Sequence, residues 1–125
     1  VKTTDYFLKF GLLLIRIMLG ITFTIHGAQK AIGGFHEPMT MMSNMGFPAF
    51  VGILLGLFEL VGGIMMIVGL LTNYIAIGFI VIMLGALFTV HLPQGYMASE
   101  LPLLLLVMSI AIAVSYQWKK LFQPY

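Results

Sequence analysis

The chain has 125 residues, 61% hydrophobic and 8% charged, with a formal net charge of +2 and a mean hydropathy of +1.09. Soluble domains carry about 25% charged residues, so this chain cannot clothe a water-facing surface and lipid must cover most of it. The small charge gives no basis for nucleic-acid binding, and the absence of cysteine excludes thiol relays, cysteine-ligated iron–sulfur clusters and thiolate zinc sites.

One domain, residues 1–125, is expected. The first span runs from about Tyr6 to Gln29. Its apolar run is too long for a secretory h-region and no small-residue cleavage site follows, so it reads as a retained helix. Arg16 lies near the centre of Phe7–His26. A short interfacial helix is expected over about Pro38–Met45, with Met39, Met42 and Met45 on its apolar side. Gly46 suits the position just past a helix and Pro48 an early helical position.

The second span is Phe47–Leu71, with Glu59 at its midpoint. Its Gly52-Ile53-Leu54-Leu55-Gly56 stretch permits close approach of another helix, from the same bundle or a second copy. Thr72-Asn73 reads as a very short link that makes the next helix antiparallel. The third span is Tyr74–His91, and Leu92–Tyr96 then breaks the chain. The fourth is Glu100–Tyr116. A span needs about 20 residues, so the last two are expected to extend by a turn. Leu101–Met108 lacks the alternation of a β-barrel strand. The fold class is therefore all-α: a polytopic membrane four-helix bundle.

Lys2, Lys9, Lys119 and Lys120 fall on the side of the termini, and Lys30 on the other. The positive-inside rule places both termini in the cytoplasm, in a multi-pass protein of the cytoplasmic membrane. Tyr6, Tyr116 and Trp118 are interfacial anchors. Phe23-Thr24-Ile25-His26-Gly27-Ala28-Gln29 is echoed by Phe88-Thr89-Val90-His91-Leu92-Pro93-Gln94, as two hairpins forming a pseudo-repeat would give.

A charge near the bilayer midplane costs about 2.5–3.5 kcal/mol even on mild insertion scales, so Arg16 and Glu59 need partners, and each is the other's simplest one. Two readings stay open. One is a buried ion pair that fixes helix register. The other is a proton-accepting or anion-orienting site, with Glu59 as the titrating member because arginine stays charged. A second cluster gathers near the opposite membrane face: His26, Gln29 and Lys30 on one helix, His91 and Glu100 around the third turn, and His36 and Glu37 in the loop. It reads either as ordinary interfacial side chains or as a polar mouth for the head group of an amphipathic ligand such as a quinone. The histidine and glutamate spacing matches no standard metal motif. Met39, Met41, Met42 and Met45 beside His36 are soft ligands, but methionine is also a common filler of apolar surfaces.

Leu14-Ile15-Arg16 followed by Gly20, His26-Gly27-Ala28-Gln29-Lys30, Gly33-Gly34-Phe35, Gly46-Phe47-Pro48, Glu59-Leu60-Val61-Gly62-Gly63, Gly69-Leu70-Leu71-Thr72 and Phe88-Thr89-Val90-His91 together resemble the DoxX family of small bacterial four-helix membrane proteins. The resemblance covers about Phe10 to Val114. It implies an inner-membrane protein in oxidoreductase chemistry, linked to quinone and thiol stress, with Arg16, His26, Lys30, Glu59 and His91 as family-like polar positions.

The expectation is a quinone-interacting subunit or accessory of an oxidoreductase. Its ligand would be held by His26, Gln29, Lys30, His91 and Glu100, with Glu59 and Arg16 handling protons. The expected cofactor is a membrane quinone, with no metal and no flavin. The expected partners are the lipid bilayer, a quinone-like molecule, and a second copy or an oxidoreductase subunit. A small exporter of aromatic compounds and a membrane scaffold remain the alternatives. No redox centre is encoded, so whether the chain is catalytic by itself stays open.

Overall fold

The computed structural model describes the backbone of residues 3–125 and their side chains except those of residues 3–4 and 90–92. Lys2, one of the cations counted for orientation, lies outside the described residues. Five helices follow one another: α1 (Thr3–Ile32), α2 (His36–Asn44), α3 (Phe50–Val68), α4 (Thr72–Ala86) and α5 (Tyr96–Ser115). A π-helical turn, Leu87–His91, and a 3-10 turn, Leu92–Gln94, continue α4. Four helices are long and apolar enough to cross a membrane, and the chain is a polytopic four-helix membrane protein.

Local chemistry sets the ends. Asp5 in the first turn of α1 and Lys30 in the last complement the helix dipole. Past Ile32 the chain reverses through Gly34 and Phe35, both left-handed, and the Phe35 N–H donates back to the Lys30 carbonyl at 2.8 Å. At the end of α2, Gly46 adopts a φ of 88°; its N–H donates to Ser43 O, and the Phe47 N–H to Met42 O. That is the double bond of a Schellman ending. The link between α3 and α4 is Gly69–Leu71. Thr72 and Asn73, read above as the link, are instead the buried first residues of α4. The reason is Asn73: its side-chain amide donates to the carbonyls of Ala113 and Tyr116 at 2.9 and 2.8 Å, satisfying the orphan end of α5. α5 begins at Tyr96, one turn before Glu100, and α4 begins before Tyr74, as the length argument requires.

Five hydroxyls inside the spans bond within their own helices. Thr22, Thr24, Thr89, Ser99 and Ser109 each donate to the carbonyl four residues back, as an apolar solvent demands. Large apolar side chains such as Leu54, Val61, Val81, Leu104 and Val107 point outward, where lipid contacts them. The core is a seam of Leu19, Phe23, Met66, Phe79, Met83, Leu105 and Ile112. Phe23 stacks on Phe79 with ring centroids 3.7 Å apart.

α1 pairs most closely with α3 and α4 with α5. In the first pair the backbones nearly touch. A Cβ added to Gly20 would lie 2.7 Å from the Gly63 carbonyl, and one on Gly63 would lie 2.5 Å from the Thr24 nitrogen. Gly27 meets Leu60, Thr24 meets Gly63 and Gly20 meets Ile67, which fixes an antiparallel register. The GxxxG stretch is satisfied inside the chain. Gly52 receives the backbone of Pro38 and Met39, and Gly56 lies under the Phe35 ring. These glycines therefore carry α2, and offer no second copy a dimer face. Met42, on the inner side of α2, is buried, whereas Met45 is exposed.

Candidate functional site

The Arg16–Glu59 pair does not form. In the register above, Glu59 lies opposite Ala28, while Arg16 lies opposite the α3–α4 link. The separation is about 18 Å along the axis at 1.5 Å per residue. Counting from the centre of each apolar run missed this because α1, at 30 residues, is far longer than α3, at 19. The middle of α3 thus meets the last turns of α1.

Glu59 pairs instead with Lys30, Nζ to Oε2 at 2.5 Å. Glu59 is 2% exposed and Lys30 is 32% exposed, so the carboxylate is sealed while the ammonium reaches outward. The stripe that carries Glu59 explains the fit. Gly52, Gly56 and Gly63 are buried beside it on α3, and these small residues let α1 and α2 approach closely enough for a lysine stem to cross, while Gly62 receives Phe79 and Ile75 of α4. Phe35 holds a left-handed φ of 60°, which costs about 1–2 kcal/mol. Its ring, packed on Gly56, offsets that cost and pins the turn after Lys30.

Above this pair lies an open groove of about 420 Å³, lined by His26, Gln29, Lys30, His36, Glu37 and Pro38 among others. The structure thus joins three of the expected ligand-binding residues, His26, Gln29 and Lys30, with His36 and Glu37, which lie in the first turn of α2 and not in a loop. His36 opens α2, and the tight Gly33-Gly34-Phe35 reversal turns it back over Lys30. Glu100 is exposed on α5 and lines no described groove. The side chain of His91 lies outside the described residues. Among the described residues, no group of three or more His, Cys, Asp or Glu is close enough to hold a metal ion.

A second groove, about 510 Å³, continues along the other flank of α2, between His36, Glu37, Met41, Met45 and Thr89. Thr89 escaped the sequence reading. Its signal was the repeat: Thr24 and Thr89 make matching bonds to Gly20 and Gly85 at 2.7 and 2.6 Å. The echo ends there, since Phe23 is buried and Phe88 is exposed.

Arg16, 3% exposed, works at the opposite end of the bundle. Its guanidinium donates to the backbone oxygens of Gln123 and Tyr125, with Ile67 O at 3.5 Å. Its carbon lies 5.5 Å from the Tyr116 ring centre. Burial pushes the Tyr116 phenol above its ordinary range, against the opposing pull of Arg16, so the ring stays neutral. Arg16 is therefore held by carbonyls and an aromatic face, near the negative end of the α3 dipole. It belongs to the tail contact, not to the groove.

The DoxX family model matches residues 11–92. The chain belongs to the DoxX family. It is also similar to a Bacillus subtilis (strain 168) protein named "Putative oxidoreductase CatD", 32% identical over 108 residues, covering 86% of this chain and 80% of that protein. No solved structure matches. The matched DoxX segment holds Lys30, Glu59 and every described residue of both grooves, whereas all of α5, Glu100 included, and the tail lie beyond it.

Proposed function

We propose that this DoxX protein is a quinone-interacting membrane component of an oxidoreductase system in the cytoplasmic membrane. The observation that carries the reading is the groove of His26, Gln29, Lys30 and His36 set directly over the sealed Glu59. A quinone head group is flat and apolar with two carbonyl acceptors. The imidazoles, the Gln29 amide and the Lys30 ammonium are donors suited to such carbonyls. Small-ligand sites combine an apolar wall with a few convergent polar groups in about 300–1,000 Å³, and this groove has that size and character.

Reducing a quinone to a quinol takes up two electrons and two protons. A chain without cysteine has no thiol or cysteine-bound cluster to supply the electrons, so they come from a partner carrying a redox centre. Protons are what this chain's own residues handle. The imidazoles of His26 and His36 can each donate or accept a proton. Lys30 hydrogen-bonds the carbonyl as charge develops on it, and Glu59 holds Lys30 in place. The cations near the chain's ends, Lys9, Lys119 and Lys120, support cytoplasmic termini and an outward-facing groove.

The test is mass spectrometry of the solvent extract from detergent-purified protein, comparing wild type with His26→Ala/His36→Ala. Near-stoichiometric quinone in the wild type, depleted in the variant, is expected. No quinone in either sample, together with no binding of added quinone, overturns the reading.

A further inference from the structure

We propose that the ligand of this site is a long-tailed amphiphile, whose hydrocarbon tail lies in the seam between α2 and the π-helical end of α4. The inference rests on the head-group reading above and adds what that groove does not contain, the place of the tail. Three observations carry it.

First, the two grooves adjoin, because His36 and Glu37 line both. A molecule seated over Lys30 meets the second groove without leaving the protein. Second, ionisable groups end along α2. The shared end carries His36 and Glu37, whereas the far part is lined by Met41 and Met45, one turn apart on the face that begins at Glu37, with the uncharged Thr40 and Asn44 beside them. The wall there is mostly carbon. α2 has nine residues, about 13 Å at 1.5 Å each. Methionine's flexible thioether stem suits a tail with no fixed shape.

Third, across the groove stands Thr89, which lies in the π-helical turn Leu87–His91. The Thr89 hydroxyl proton is committed to the Gly85 carbonyl at 2.6 Å, so it is withdrawn from the groove. π-turns widen a helix locally and recur at functional sites. Here the widening falls on the side of the groove across from α2, with an open gap between the two backbones. The site therefore selects amphiphiles with tails over soluble quinones and phenols that have only a ring.

The experiment uses full-length protein in lipid nanodiscs and two quinones with one head group, one without a tail and one with a tail of ten carbons. Affinities are compared between wild type, Met41→Trp/Thr89→Trp, which fills the seam, and Met41→Ser/Met45→Ser, which makes its wall polar. Partition of the tailed quinone into lipid is the same in all three samples and cancels. The expected result is about a tenfold loss for the tailed quinone in both variants, with the tail-less one unchanged. Equal affinities for the tailed quinone in all three proteins overturn the tail assignment and leave the head-group reading standing. Equal loss for both quinones in both variants also overturns it. Binding of neither quinone to wild type overturns the head-group reading, and this inference with it.

Discussion

At the scale of single residues, the ion pair decides the most. Glu59 is sealed and Lys30 is its sole ionic partner among the described residues. Removing one member of a buried pair strands the other, at a cost of about 3–5 kcal/mol, whereas replacing both can be nearly neutral. Lys30 reaches solvent, so Lys30→Met is expected near the low end, about 3 kcal/mol, and Lys30→Met/Glu59→Gln to recover most of the loss. Thermal unfolding in detergent measures both. A double variant as unstable as the sum of the single ones would show that the two side chains do not interact. Glu59→Gln alone leaves Arg16 with all its partners, because the two lie at different levels of the bundle.

At the scale of elements, glycine sets the distances between helices. Gly52 receives the backbone of α2, with the Pro38 carbonyl 2.5 Å from where a Cβ would stand. Backbone cannot step aside as a flexible side chain can. Gly52→Ala is expected to cost about 1–3 kcal/mol through overpacking and to lift α2, weakening quinone retention in the same protein. Gly11 has nothing within 4 Å of its Cβ position. Gly11→Ala is expected to be neutral or to stabilise by up to about 1 kcal/mol from helix propensity. Melting temperatures and bound-quinone levels of the two variants check the contrast. If both behave alike, close packing of α2 on α3 is not what shapes the groove.

At the scale of the whole molecule, the tail and Arg16 fasten the end opposite the groove. The Leu71 N–H donates to Leu121 O at 2.7 Å, and the Gln123 N–H to Gly69 O at 2.7 Å. Arg16 grips the same stretch from α1, so four helices meet around one short segment. Gly69 fits because its φ of 97° is open to glycine, and because a Cβ there would strike Gln123 and crowd the Arg16 guanidinium. Hydrogen bonds from a charged donor are worth about 1.5–3 kcal/mol. Arg16→Gln is expected to lose about 2 kcal/mol and to free the tail. Trp118, the chain's single tryptophan, sits edge-on to Tyr74 at 5.2 Å, so its fluorescence reports docking. A lower anisotropy and a shifted emission are expected in Arg16→Gln; an unchanged spectrum would mean that the tail docks without Arg16.

Composition and hydrophobic run length by themselves determined a four-helix membrane protein, because lipid leaves an apolar chain of this length few other ways to satisfy its backbone. The Gly46 ending of α2, the extra turn on the last span and the nearness of His26, Gln29 and Lys30 were legible for local reasons: capping chemistry, span length and helical periodicity. The partners of Arg16 and Glu59 were not. Pairing between antiparallel helices depends on the register in which they slide together, and that register is set by Gly20, Gly27 and Gly63 meeting another backbone. No run of sequence records which glycine meets which carbonyl. The second groove was hidden for the same reason. It exists because α2 packs across α3 and stops short of the π-turn of α4, leaving a gap between residues far apart in the chain that only tertiary packing brings about.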